Sequence, residues 1–530
     1  MPIASRRLAA FLLVLATPLA AQQRDPLAIT EAELGAHLRL ISSDLFEGRF
    51  PGTRGEALTT AYLVSQLQAA GVQPGVDGAW LQEVKLLVHD PVPGAVPQVK
   101  LSGAQTRELV HGRDLRLSNL SARSEVVAGG DLVFVGYGIS APVYGWDDLA
   151  GVDLTGKVAI ARIGEPSRDS TRFNGVRASR YAWLTSRTRE LQRRGAVGVL
   201  WLLPGGSRMS SSPVGGQRRL ASDGDSATLV FGGNISDSTL ASLLPAGTRL
   251  DELLEAAERP GFKALPLGVR LDVRAQTSPR VVVTHNVVGT VPGADAARAN
   301  EHVVLSAHWD AYGIGAPVNG DSIYNGALDD GSGTSTLLAL ARVFAGSPQP
   351  RSVTFLFTTA EEWGLLGAHG FVRQGPIPMD RITANLNLDD GIEVWGRKKD
   401  VASLGVELSS LGAVSADVAR RMKLRITPDP YPQEGFYLRQ DGFVFAEAGV
   451  PSLYMALGTD AEGRPAGWVD ERVKEYLGTH YHRPSDDYET VVVNLAGVRQ
   501  FAEYVRDVTI AVARMPGRPT WNRGGEFSRP

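Results

Sequence analysis

Two hydrophobic periodicities divide the chain. Between Ile29 and Gly75, apolar residues recur at three and four spacing through AELGAHLRLI and again through ALTTAYLVSQLQAAG, with the Gly/Pro-rich break EGRFPGTRG between them. That pattern predicts two packing helices, the second stopped by Gly71. From about Ala95 to Pro279 the texture changes to short β-branched runs, DLVFVGYGI, GKVAIARIG, GAVGVLWLL and ATLVFGG, with a helical stretch at SRYAWLTSRTRELQRRG. These runs predict a small β-rich module, inserted or appended, and GGSRMSSSPVGGQRR within it reads as loop. From about Thr284 to Ala513 apolar strands alternate with helices: VVGTVPG, HVVLSAH, TSTLLALARVFA, VTFLFTT, LLGAHGFVRQ, ITANLNLD, VELSSLGAVSADVARRM, VPSLYMALG and AGVRQFAEYVRDVTIAVARM. Alternation of this length calls for an α/β layer with a mostly parallel central sheet flanked by helices.

The expected boundaries are 22–94 for an N-terminal helical part, 95–279 for the β-rich module and 280–514 for the α/β part, with 515–530 a disordered tail. At 530 residues the chain is too long for one ordinary core. Its first residues, MPIASRRLAAFLLVLATPLAAQQ, join Arg6 and Arg7 to an apolar run from Leu8 to about Leu19 and to the small residues Ala20 and Ala21. This is the three-part pattern of a secretory signal peptide over 1–21, and it predicts export to a periplasm or the extracellular space. The run is too short to span a bilayer, and no later segment offers about 20 uninterrupted apolar residues. Lys+Arg 54 against Asp+Glu 57 gives a net charge of -3, which argues against a nucleic-acid footprint. With no Cys, a disulfide framework is excluded, so an exported chain must rest on a large core and any metal it binds. Nothing in the pattern points to an oligomeric state.

In open α/β sheets, functional groups collect beyond the carboxyl ends of the strands. Those ends carry His308 and Asp310 after HVVLSA, Asp329 and Asp330 in the Gly-rich turn NGALDDGSGTS, Glu361 and Glu362 after VTFLFTTA, Asp389 and Asp390 after ITANLNL, and His480, His482 and Asp486 in GTHYHRPSDD. Imidazole and carboxylate together suit catalytic zinc, and one His and one carboxylate per ion with a further carboxylate shared would make a two-metal site. Adjacent acids at a strand-to-helix turn cannot both face one ion, so one can ligate while the other acts as general base. Asp330 is expected to cap the helix near Thr334 or to support a ligand, His369 to lie at the surface or to pack, and His285 and His302, away from the strand ends, are assigned no role.

SAHWD, NGALDDGSGTS, TTAEEWGLLGA, LNLDD and YHRPSDD, in this order, resemble the motifs of the co-catalytic, two-zinc metallopeptidase family of aminopeptidases and glutamate carboxypeptidases, which has glutaminyl-cyclase relatives. The resemblance covers roughly 30–90 and 280–510, and it implies the zinc exopeptidase fold. LVFVGYGISAP, GWDDLAGVDLTGKVAIARIG and RRGAVGVLWL resemble the non-catalytic protease-associated domain often inserted in these enzymes. Position by position, the resemblance implies two Zn2+ ions, His308 and Asp389 on one, Glu362 and His482 on the other, and Asp329 bridging. It implies Glu361 as general base and Tyr481 as a group that helps polarise the scissile carbonyl, with His480 outside the ligand set. One departure stands in EGFYLRQDGFVFAEAGVPSLYM: many relatives read Ser-Asp-His where this chain has Gln440, Asp441 and Gly442. Asp441 and Arg439 are therefore the substrate-binding candidates. The expected activity is an exported aminopeptidase acting on peptides. The alternatives are a carboxypeptidase using Arg439 for the substrate carboxylate, a single-zinc cyclase, and a non-catalytic binding protein on the same scaffold.

Overall fold

The computed structural model describes residues 27–528 apart from 168–171, 174, 206, 208, 210–213, 217 and 224–228. The expected signal peptide lies outside the described residues. Among those residues, no helix is long and apolar enough to cross a membrane.

The strands Ser352–Thr358, His302–His308, Ile382–Leu388 and Ser452–Met455 lie side by side in that order and run parallel. Two antiparallel strands extend the Ser352–Thr358 edge, first the end of Leu265–Val291 and then Leu81–Pro91. The mixed α/β layer with a mostly parallel sheet is thus present as expected. Its strands are buried on both faces, which is why SVTFLFT and ITANLNL read as near-continuous apolar runs. Along the first, Val353, Phe355 and Phe357 enter the core beneath the helices Glu31–Ile41, Ser332–Gly346 and Leu495–Arg514, while Leu356 enters a smaller cluster on the opposite face with Phe371 and Phe445. Each such side chain, buried to 0 %, contributes about 1.5–3 kcal/mol relative to exposure.

The module between 95 and 279 is rich in strands, with short helices among them. Val158–Arg162, Gly198–Leu202 and Phe231–Ile235 form a parallel core, and helices such as Leu184–Arg193 lie between them. No linker separates it at 279. Leu265–Val291 is one strand of 27 residues, pairing with Glu125–Phe134 and Gln98–Gly103 in the module and with Leu81–Pro91 and Ser352–Thr358 in the main sheet. The reading of Pro279 as a boundary is corrected: Pro interrupts one ladder donor without ending the strand.

The expected disordered tail is also corrected over its described residues. Trp521 donates to the Gly449 carbonyl at 3.0 Å, the Asn522 amide to that of Leu408 at 2.9 Å, and Phe527 is 5 % exposed and stacked on Trp521. Two isolated aromatic anchors hold a segment that has no periodicity to advertise it.

His302 opens its strand with Nδ1 2.9 Å from the Thr354 hydroxyl, and burial, assisted by Arg381, lowers its pKa to about 4. Above the ordinary value of 6.5 both folded and unfolded chains are neutral here. As pH falls from there toward 4, the unfolded chain takes up the proton first, so stability is lost across that window, by on the order of 3 kcal/mol. Urea midpoints at pH 7 and 4.5, with chelator present throughout, should fall less in His302→Gln than in the parent; equal falls would contradict the assignment.

Candidate active site

His308, Glu361 and Asp389 all lie at or just past the same edge of neighbouring parallel strands, so topology alone converges them. His308 is 1 % exposed; its Nδ1 lies 3.1 Å from the Asp310 carbonyl oxygen, which turns Nε2 toward Asp329 Oδ1 at 3.0 Å and Asp389 Oδ1 at 3.6 Å. Asp329 sits in the turn Ala327–Gly331, where its peptide bond to Asp330 is cis. Its other oxygen, Oδ2, is 3.2 Å from His482 Nε2, and the same nitrogen is 3.3 Å from Glu362 Oε2. Two donor triads result, His308/Asp329/Asp389 and Asp329/Glu362/His482, each with its atoms within 4.8 Å of one another. Asp329 belongs to both, one oxygen to each.

The adjacent acids are turned to different places. The turn after Thr358 passes through Ala360 at φ +51° and closes on the Glu361 carbonyl, which accepts from the Gly364 amide at 2.8 Å. Glu362 is thereby turned to the second triad, while Glu361 Oε2 stops 4.0 Å from His308 Nε2 and is in neither triad.

The charges fit cations. Burial works against a protonated His482, but hydrogen bonds to Asp329 and Glu362 overcome it and lift its pKa to about 9. Burial alone would raise the Asp329 carboxyl; His308 and His482 instead hold it well below the usual range. Glu362 is pushed up to about 7, chiefly by burial and then by the Asp329 charge, and burial pushes Glu361 well above its ordinary value. A buried cluster with this surplus of carboxylate draws protons to its imidazoles and would draw divalent cations more strongly. Two imidazoles and three carboxylates, one of them shared, are a suitable donor set for two such ions.

The supporting residues divide into those the sequence marked and those it did not. Asp330 is in neither triad; it accepts from the His308 amide at 3.1 Å and the Gly333 amide at 2.9 Å. Asp310 accepts from the Glu361 amide at 3.1 Å, and Asp486 from the amides of Leu328 and Asp329. His480 is held by Ser485 and enters neither triad. Tyr481 stacks on His482 with centroids 3.6 Å apart, and its hydroxyl accepts from Arg439 at 3.0 Å. Sequence reasoning missed Arg49, buried in the break EGRFPGTRG, whose guanidinium donates to the carbonyls of Trp309, Ile41, Asn325 and Gly326 and so ties together the turns that follow His308 and precede Asp329. It also missed Tyr312, whose hydroxyl is 3.0 Å from His482 Nδ1. An Arg among glycines was the only signal for the first; the second had none.

A cavity of about 110 Å³ opens beside Glu361, Asp389 and Tyr481 and is walled largely by apolar groups, among them Ile392, Trp395, Leu404, Phe436 and Leu457. Arg439 and Gln440 line it, but Asp441 does not. The substrate-binding assignment of Asp441 is therefore corrected. Its side chain is 1 % exposed and turned inward to the Thr358 hydroxyl, while Gln440 folds back to accept from the Gly442 amide at 2.6 Å.

Residues 286–509 match the model of peptidase family M28. The matched segment carries both triads. Leucine aminopeptidase 1 of Fusarium vanettenii is 35 % identical over 230 residues, 42 % of this chain and 53 % of that protein. Leucine aminopeptidase 1 of Ajellomyces dermatitidis is 29 % identical over 219 residues, 39 % of this chain and 51 % of that one. The chain spans about half the length of these curated relatives. The solved aminopeptidase from Aneurinibacillus sp. strain AM-1 shares the fold at a TM-score of 0.51 and 17 % identity, over 91 % of this chain and 93 % of that one.

Proposed function

We propose that the protein is an exported two-zinc aminopeptidase that removes apolar residues from the N-termini of peptides. The observation that carries this is the apolar cavity bordering Glu361, Asp389 and Tyr481, beside two triads that share Asp329. His308, Asp329 and Asp389 would hold one ion and Asp329, Glu362 and His482 the other. Bound there, zinc would supply Lewis acidity toward the peptide carbonyl and the attacking water. Glu361, outside the ligand set yet 4.0 Å from His308, takes the water proton and passes it to the leaving amine. Tyr481, its hydroxyl oriented by Arg439, donates a hydrogen bond to the carbonyl oxygen as negative charge develops there. The cavity takes the first side chain.

Dipeptides with a free N-terminus and an apolar first residue, their N-acetylated counterparts, and each with chelator make the test. Cleavage confined to the free amines, abolished by chelator, is expected. Cleavage of the blocked set would transfer the site to a carboxypeptidase, with Arg439 as the exposed cation at the rim.

A further inference from the structure

A second cavity, of about 300 Å³, lies where the inserted module meets the helix Leu366–Gln374. Its walls come from both sides. The module supplies Arg189, which shares a face of the helix Leu184–Arg193 with Thr185, Thr188 and Gln192, together with Arg218 and Arg219; the main domain supplies Trp363, His369 and Arg373. Four guanidinium groups therefore face one lining carboxylate, that of Asp223, which is paired with Arg373. Arg189 lies 3.7 Å from Glu447, whereas Arg218 rests 4.1 Å over the Trp363 ring and forms no ion pair among the described residues.

His369 supplies an independent observation. It is 8 % exposed and lines this cavity, yet its imidazole has no hydrogen-bond partner among the described residues. Burial, with Arg189 and Arg373 adding to it, keeps the ring neutral, with its pKa lowered to about 3. A neutral imidazole at the cavity wall offers one N–H donor that no described residue accepts.

We propose that this cavity is a binding site for an oxyanion of the carboxylate or phosphate class, held by Arg189, Arg218 and Arg373, with His369 as a neutral donor. Planar guanidinium groups match both anions through paired hydrogen bonds, and an anion would relieve the mutual repulsion of the four cations. The ligand would bridge the inserted module and the helix that follows the Glu361–Glu362 turn, a position distinct from both metal triads. It arrives either as a free anion or as an acidic residue of a peptide.

Calorimetric titration of the holoenzyme with inorganic phosphate tests the first source, and titration with a glutamate-bearing peptide against its glutamine counterpart tests the second. Arg218→Gln, at an exposed position, and the double variant Arg189→Gln/Arg218→Gln are compared with the parent after their fold is checked by circular dichroism. Binding of either probe that weakens about tenfold or more in the variants supports the site. Binding of equal strength in parent and variants, as phosphate on the metals alone would give, or no binding of either probe, overturns it. The readout does not depend on turnover, so it stands or falls separately from the aminopeptidase reading.

Discussion

Glu361→Gln should retain two zinc ions per chain and lose about 10² to 10⁴ in kcat, the range typical for removal of a general base. That loss corresponds to about 2.7–5.4 kcal/mol of transition-state stabilisation. The split between metal content and rate follows from placement. Glu361 is outside both donor triads, its amide is fixed by Asp310, and its carboxylate stands 4.0 Å from His308 Nε2. An amide at this position keeps the shape and removes the proton acceptor. Near-parental kcat with full zinc would remove Glu361 from the mechanism; loss of zinc would make it a ligand.

Asp329→Ala should do the reverse. Its two oxygens serve different triads, 3.0 Å from His308 and 3.2 Å from His482, so one substitution would remove a donor from both proposed ion sites. Affinity should weaken by more than the 10- to 100-fold typical of outer-shell partners. Elemental analysis after dialysis should then find less than one zinc per chain, with activity lost in proportion. Two ions retained by a folded Asp329→Ala protein would contradict the shared carboxylate.

These expectations were legible in the sequence because parallel topology translates chain order into spatial order. Once HVVLSAH, VTFLFTT and ITANLNL are read as neighbouring parallel strands, His308, Glu361 and Asp389 must converge, whatever the details of packing. What escaped detection depended on groups with no period. Arg49 acts through four carbonyls that carry no sequence signature, and Tyr312 reaches His482 across 170 positions of chain. Asp441 was misassigned because a motif position fixes the backbone and leaves the side-chain direction to local competition, here won by the Thr358 hydroxyl. The limit of the inserted module was misplaced for a related reason. Pro279 is a good local stop signal, but the ladder to Leu81–Pro91 runs through it from Thr277 to Val287 without a shift, while the buried positions change from odd (Val269, Leu271, Val273, Ala275) to even (Val282, Thr284).

That unbroken strand has a mechanical consequence. At about 3.3 Å per residue its 27 residues amount to roughly 90 Å of chain contour, and the module's ladder ends at Gln276 where the main sheet's begins at Thr277. The inserted module is therefore carried like a blade on a leaf spring: its tilt toward the edge that holds the two triads follows the twist of one continuous ribbon, and excising it at any residue between 277 and 291 would cut into the sheet that aligns them.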